Sequence, residues 1–196
     1  MIKLDKNIEY LPAEDNPLSA DVYIIYGEKR NFIIDTGSND EAYKLIKNID
    51  NKTIVITHFH ADHIGNLKRI DIEDKNLYVG KYTKKSTGRG TIVNDSLTFK
   101  DDNLIRVSRI PSSHAKDCLV VSVNNKWLFL GDSFYASAKG FNVSLLHDEI
   151  EFLEKEPFSH ALVSHDNTIY SKEQIINTLK YFYSKRIKNE PYIKIN

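Results

Sequence analysis

The run Thr53-Ile54-Val55-Ile56-Thr57 is short, apolar and β-branched, and it stops at His58-Phe59-His60-Ala61-Asp62-His63. Such a run reads as a buried strand. His58 and His60 are two apart, so at a strand's end both side chains point to the same side. Asp62 and His63 follow in a tight turn or at a helix start, so four ligand-type side chains converge on one point. Imidazole nitrogen and carboxylate oxygen suit zinc and similar borderline metals. The plain alternative is a solvated polar loop. Three of the chain's seven histidines in one H-x-H-x-D-H stretch, directly after an apolar strand, favour the metal.

The remaining chain supplies strands and helices around that point. LSADVYIIY (18–26) and NFIID (31–35) flank Gly27-Glu28-Lys29-Arg30 and predict a hairpin. Ser38 or Asn39 can cap a helix reaching about residue 48, and the 53–57 strand follows, which together make a βαβ unit. A short helix is expected over 64–70, then strands at 77–79, 97–99, 104–110, 118–123 and 127–132. Helical spacing returns at 147–155, a strand at 160–164, and an amphipathic helix at 172–185. Two groups of strands, each followed by helix, predict sheets inside and helices outside.

Length and composition set further bounds. The 196 residues suit a single domain spanning 1–196, and 41% hydrophobic with 28% charged residues is ordinary for a globular chain. Lys+Arg and Asp+Glu both number 27, which argues against a broad electrostatic footprint for nucleic acid or an acidic membrane. Cys118 is the lone cysteine; it excludes an internal disulfide and, embedded in CLVVSV, reads as a buried strand residue. The N-terminus has no signal-type apolar core, and no apolar run is long enough to span a bilayer, so a cytoplasmic protein is expected. Nothing in the sequence sets the oligomeric state.

His58-Phe59-His60-Ala61-Asp62-His63 resembles the signature of the metallo-β-lactamase superfamily, and further matches follow in the expected order. Phe32-Ile33-Ile34-Asp35-Thr36-Gly37 is similar to the family's strand ending in Asp-Thr-Gly. Pro111-Ser112-Ser113-His114 falls where the next histidine ligand belongs, Leu128-Phe129-Leu130-Gly131-Asp132 at its Gly-Asp strand, and Leu162-Val163-Ser164-His165 at its last histidine motif. The resemblance implies an α+β chain folded as an αββα sandwich, with two mixed sheets, helices on both outer faces and metals at one edge. It implies two divalent ions, Zn2+ first, with Mn2+ or Fe2+ as alternatives. His58, His60 and His114 would hold the first, Asp62, His63 and His165 the second, and Asp132 would bridge them. Asp35 would support these loops from outside the ligand set.

Two metals about 3.5–4 Å apart can share a water, lower its pKa toward neutrality and polarise a carbonyl or phosphoryl oxygen, so no serine or cysteine nucleophile is needed. The resemblance thus implies a hydrolase that uses a bridging hydroxide on a small-molecule ester, thioester or lactone, with Asp62, Asp132 and Tyr135 as catalytic candidates. Tyr135, three residues after Asp132, is similar to a tyrosine that bonds the substrate carbonyl in the superfamily's lactone hydrolases, although packing would also explain it. Ser113, Ser164 and Asp166 stand where the family often has glycine, which leaves the metals credible and the substrate open. Asp166 reads first as a solvated loop residue.

Phe59, Tyr135 and a flexible basic loop at 81–92, carrying Lys81, Lys84, Lys85 and Arg89, are the expected pocket wall. His147 and His160 lack ligand-like neighbours. The alternatives are a phosphodiesterase or nuclease on the same site, a mononuclear-iron sulfur dioxygenase, and a metal-stabilised binding module. The short stretch after His165 leaves glutathione specificity unsupported, and His60 in place of the expected glutamate speaks against a flavodiiron reductase.

Overall fold

The structure is a computed structural model, and it describes residues 1–195. The chain opens with a hairpin of β1 (Ile2–Asp5) and β2 (Ile8–Leu11), then the small pair β3 (Glu14–Asp15) and β4 (Leu18–Ser19). Next come β5 (Val22–Ile25), β6 (Asn31–Ile34), α1 (Asp40–Lys47), β7 (Lys52–Val55), α2 (Ala61–Ile64), β8 (Leu77–Val79), α3 (Lys81–Thr87) and β9 (Thr91–Ile92). The second half holds β10 (Ser96–Lys100), β11 (Leu104–Ile110), β12 (Cys118–Val123), β13 (Trp127–Phe129), β14 (Phe141–Asn142) and α4 (Val143–Lys155). It closes with β15 (His160–Leu162), β16 (Tyr170–Ser171), α5 (Lys172–Ser184) and β17 (Tyr192–Ile193).

Seven strands form one mixed sheet in the order β1-β2-β5-β6-β7-β8-β9, and six form a second in the order β10-β11-β12-β13-β15-β16. Alternation along each strand sorts side chains into three layers. Tyr23, Ile25, Phe32, Ile34 and Val55 of the first sheet meet Val107, Leu119, Val121, Phe129 and Leu162 of the second in the sandwich interior. Their neighbours Val22, Ile24, Ile33 and Ile54 face outward onto Ala42 and Ile46 of α1. Val120, Leu128, Ala161 and Val163 face outward onto Leu146 and Leu153 of α4 and Ile175 and Leu179 of α5. Both faces of these strands are buried, so they read as continuous apolar runs. This is the αββα sandwich expected from the sequence.

The β5–β6 hairpin and the β6-α1-β7 unit match the sequence reading, with Asn39 as the cap: its side chain accepts from the Ala42 N–H. Several expectations need correction. The 81–92 segment is not a flexible loop; residues 81–87 are helical, ended by Gly88 in the left-handed region at φ 75°, and 91–92 pair with β8. The helix expected over 64–70 lies instead at 61–64. Buried Asn66 follows, donating its side-chain amide to the carbonyls of Thr36 and Asn39, and only tight turns continue the chain. The helix expected at 147–155 begins four residues earlier, capped by Asn142. The first three strands had no counterpart in the sequence reading.

Strand direction positions the site. β6 and β7 run parallel, as do β13 and β15, while β11 and β13 flank β12, each antiparallel to it. The segments holding Asp35, His58, His114, Asp132 and His165 therefore all leave the C-terminal ends of like-directed strands within each sheet. At that end the Leu119 N–H donates to the Thr57 carbonyl at 2.8 Å, tying one sheet to the other.

Candidate metal centre

His58 is fully buried just past β7, and His60 is the N-cap residue of α2, so Asp62 and His63 fall in that helix's only turn. His114 sits past β11, Asp132 past β13 and His165 past β15. The seven side chains named from the sequence come together as two sets that share Asp132: His58, His60, His114 and Asp132; and Asp62, His63, Asp132 and His165. Within each set the potential ligand atoms all lie within 4.8 Å of one another.

The finer distances test whether ions fit. His60 Nδ1 and His114 Nε2 are 3.0 Å apart, and His114 Nε2 is 3.4 Å from Asp132 Oδ2. His63 Nε2 lies 3.2 Å from Asp132 Oδ1 and 3.3 Å from Asp62 Oδ2, and His165 Nε2 is 3.0 Å from Asp62 Oδ2. Ligand atoms about 2.0–2.1 Å from a tetrahedral ion stand about 3.3 Å from each other. His58 Nε2, His63 Nε2 and Asp132 Oδ1 are buried with no hydrogen-bond partner, a state that native interiors avoid and that a cation would relieve. Asp132 Oδ2 lies within 3.9 Å of His58, His114 and His165, which span both sets. The donor set and its spacing fit two divalent ions.

Outside the ligands, Asp35 is saturated. One oxygen accepts from the Thr57 N–H at 2.7 Å; the other accepts from the Thr57 hydroxyl and faces His63 Nδ1, both at 2.7 Å. With Nδ1 committed to Asp35, His63 turns Nε2 toward Asp62 and Asp132. Burial opposes charge on His63, but the Asp35 and Asp132 carboxylates overcome it and raise its pKa to about 10. His58 goes the other way: burial, then the neighbouring imidazoles, push its pKa far down. His165 is raised by its hydrogen bond to Asp62. The second set thus attracts positive charge, while in the first set His58 is kept neutral and ready to coordinate.

Tyr135 is half-buried, and its hydroxyl donates to the Ser164 carbonyl at 2.8 Å. Burial, then the charges of Asp132 and Asp166, push its pKa up, so it gives up its proton poorly. A bond to substrate would require the Ser164 bond to open. Asp166 accepts from the Thr168 N–H and the Tyr170 hydroxyl, as a loop residue does. Cys118 is buried, which pushes its thiol up to about 12. His147 is on the exposed face of α4 and His160 beside Trp127, both outside the cluster. Of the expected pocket wall, Phe59, Ser86, Thr87 and Arg89 line one cavity of about 370 Å³ with Ile64, Leu67 and Lys68, whereas Tyr135, Lys81, Lys84 and Lys85 do not line it.

Three supporting residues went unread in the sequence. Thr57 links Asp35 to the β7 end, and Ser112 ties the His114 N–H to the Ser133 carbonyl. Asp21 is buried at the start of β5 and accepts the His165 N–H at 2.9 Å. The available signal was a lone carboxylate inside the apolar stretch LSADVYIIY.

Residues 15–102 match the metallo-beta-lactamase superfamily. No curated protein matches the sequence. Among solved structures, DIM-1 metallo-beta-lactamase is similar, with TM-score 0.70 and 19% identity over 91% of this chain and 94% of that one. An archaeal metallo-beta-lactamase superfamily protein from Sulfolobus tokodaii matches with TM-score 0.66 and 22% identity over 98% and 90% of the two chains. The chemotaxis sensor ODP, solved as a peroxy diiron species, matches with TM-score 0.69 and 13% identity over 92% and 93%. Likeness at these identities speaks for the fold. Among the described residues no helix is long and apolar enough to cross a membrane. The metallo-beta-lactamase superfamily is thus matched in sequence over residues 15–102, and the αββα fold is shared with solved metallo-beta-lactamase structures across nearly the whole chain.

Proposed function

We propose that this chain is a dinuclear metal-dependent hydrolase of a small ester, thioester or lactone. The observation that carries the reading is Asp132, whose carboxylate faces both ligand sets at once. His58, His60 and His114 would hold one ion, Asp62, His63 and His165 the other, with Asp132 between them. Bound there, two divalent ions would activate a shared water near neutral pH and polarise a carbonyl oxygen.

The chain's own groups do the rest. Asp35 fixes the His63 ring so that its free nitrogen faces the cluster. Asp62, held ionised by the His165 hydrogen bond against the opposing effect of its burial, is the carboxylate placed to accept a proton during water attack. Tyr135 positions the His165 loop through the Ser164 carbonyl. Phe59, the neighbour of His60 in sequence, lines a cavity with Ile64, Leu67 and Lys68 that would take the substrate's apolar part. Zn2+ is the first candidate on donor chemistry, and Fe2+ and Mn2+ accept the same nitrogen and oxygen atoms. A single buried thiol suits a reducing compartment such as the cytoplasm.

The test is turnover of zinc- and manganese-loaded protein on a chromogenic carboxylic ester and thioester, set beside a chromogenic phosphodiester. Carbonyl substrates are expected to turn over at least tenfold faster. Preference for the phosphodiester would replace this reading with a nuclease-like one, in which exposed Lys81 and Lys85 of α3 would become the next residues to change. Inactivity on all three substrates with iron bound from the cell would point to oxygen chemistry instead.

A further inference from the structure

Two ligand-type residues of the second set, Asp62 and His165, share a support that the first set lacks. The Ala20 N–H donates to the Asp62 carbonyl at 3.2 Å. One residue on, Asp21 takes the His165 N–H on one carboxylate oxygen at 2.9 Å and the Ala13 N–H on the other at 2.9 Å. The Asp21 N–H in turn donates to the Ser164 hydroxyl oxygen at 3.2 Å. These bonds cross 143 and 144 positions of sequence and join the N-terminal end of β5, an inner strand of the first sheet, to the β15 loop of the second. Among the described residues, no hydrogen bond joins residues 20–21 to His58, His60 or His114.

The tie acts on backbone that needs holding. His165 has φ 63°, in the left-handed region, which costs a non-glycine residue about 1–2 kcal/mol. A buried carboxylate accepting its N–H fixes both that conformation and the direction of the ring. Ser164, where the superfamily often carries glycine, supplies the reciprocal contact to Asp21, so the departure from that pattern has a structural partner.

Resting on the dinuclear reading above, we infer that the Ala20–Asp21 strand start is a brace specific to the second ion: Asp21 is a positioning residue that determines whether Asp62 and His165 can hold a metal, independently of the first site. Exchange of Asp21 for asparagine keeps the volume but sets an amide donor against a backbone donor.

The experiment strips the full chain of metal, reconstitutes it with Zn2+ alone, counts bound zinc by mass spectrometry and measures both affinities by chelator competition. Wild-type protein is expected to hold two zincs. Asp21→Asn should keep the first site's affinity and weaken the second about 10- to 100-fold. Ser164→Ala should weaken the second about fivefold, as expected for one lost hydrogen bond. A general structural role would instead lower the metal-free unfolding midpoint and weaken both sites together; that outcome, or unchanged affinities in Asp21→Asn, overturns the inference. If Asp21→Asn does not fold, Ser164→Ala decides, and an unchanged second affinity refutes it. Wild-type protein holding fewer than two zincs would overturn the dinuclear reading itself and the brace with it, whereas two zincs in wild type with an unchanged second affinity in Asp21→Asn would remove only the brace.

Discussion

Asp35 carries φ 60°, a conformation that costs a non-glycine residue free energy and that three short hydrogen bonds to Thr57 and His63 compensate. Its Asp-Thr-Gly setting was readable in the sequence because a carboxylate at the end of an apolar run is rarely idle. Thr57 was not, since a threonine closing a strand looks like ordinary β propensity. Asp35→Asn sets an amide against donors, so metal affinity at the His63 site should fall about 10- to 100-fold in a zinc titration, with the fold retained by circular dichroism. Tyr135 belongs to the same scale: its spacing from Asp132 suggested substrate contact, but its hydroxyl is committed to Ser164. Tyr135→Phe should cost about 1 kcal/mol in denaturant unfolding and leave kcat within tenfold; a hundredfold drop in kcat would restore it to the chemistry.

Strand ends, rather than individual residues, bring the ligands together. Each ligand-bearing segment leaves the C-terminal end of β7, β11, β13 or β15, and the apolar runs that bury both strand faces are what made these elements legible. α1 was legible from its Asn39 cap and α5 from the amphipathic spacing of its apolar residues, to which the structure adds a Ser171–Gln174 capping box. α3 was missed because a two-turn segment rich in lysine, serine and threonine has too little periodicity to outweigh its loop-like composition, and only Thr83 is buried. The N-terminal strands are too short and too charged to stand out. The joint between β13 and Asp132 is where the element scale is most exposed to test. Gly131 has φ 55°, and a Cβ there would come within 2.8 Å of the Thr57 side chain. Gly131→Ala should therefore destabilise by about 2–4 kcal/mol and lower bound metal, measured by thermal unfolding and metal counting on one sample.

Across the whole molecule, layer order was legible from alternation, while the residues joining the layers at long range, such as Asp21 to His165, lie 144 positions apart and leave no local pattern. The core also holds an anomaly, Glu149 of α4, fully buried with both carboxylate oxygens unpartnered. Burial raises its pKa well above the ordinary glutamate range. The folded state then binds a proton that the unfolded state has released, so its contribution is intact below about pH 4.3 and is lost as pH climbs toward the folded pKa. Glu149→Gln should remove that slope and raise Tm at pH 8 by about 2–8 °C relative to wild type, with little change at pH 4, in a thermal melt series. Ions at the cluster should act in the same direction on the whole chain: zinc at a hundredfold excess over its Kd adds about 2.7 kcal/mol per site. The most direct test of the account remains Asp132→Ala, because Asp132 is the one side chain that both ligand sets contain. Bound zinc and turnover of a carboxylic ester, thioester and lactone panel should be measured on the same samples of wild-type and variant protein. The dinuclear hydrolase predicts two zincs and turnover in the wild type, with fewer than two zincs and at least a hundredfold loss of turnover in the variant; two zincs and undiminished turnover in Asp132→Ala would contradict it.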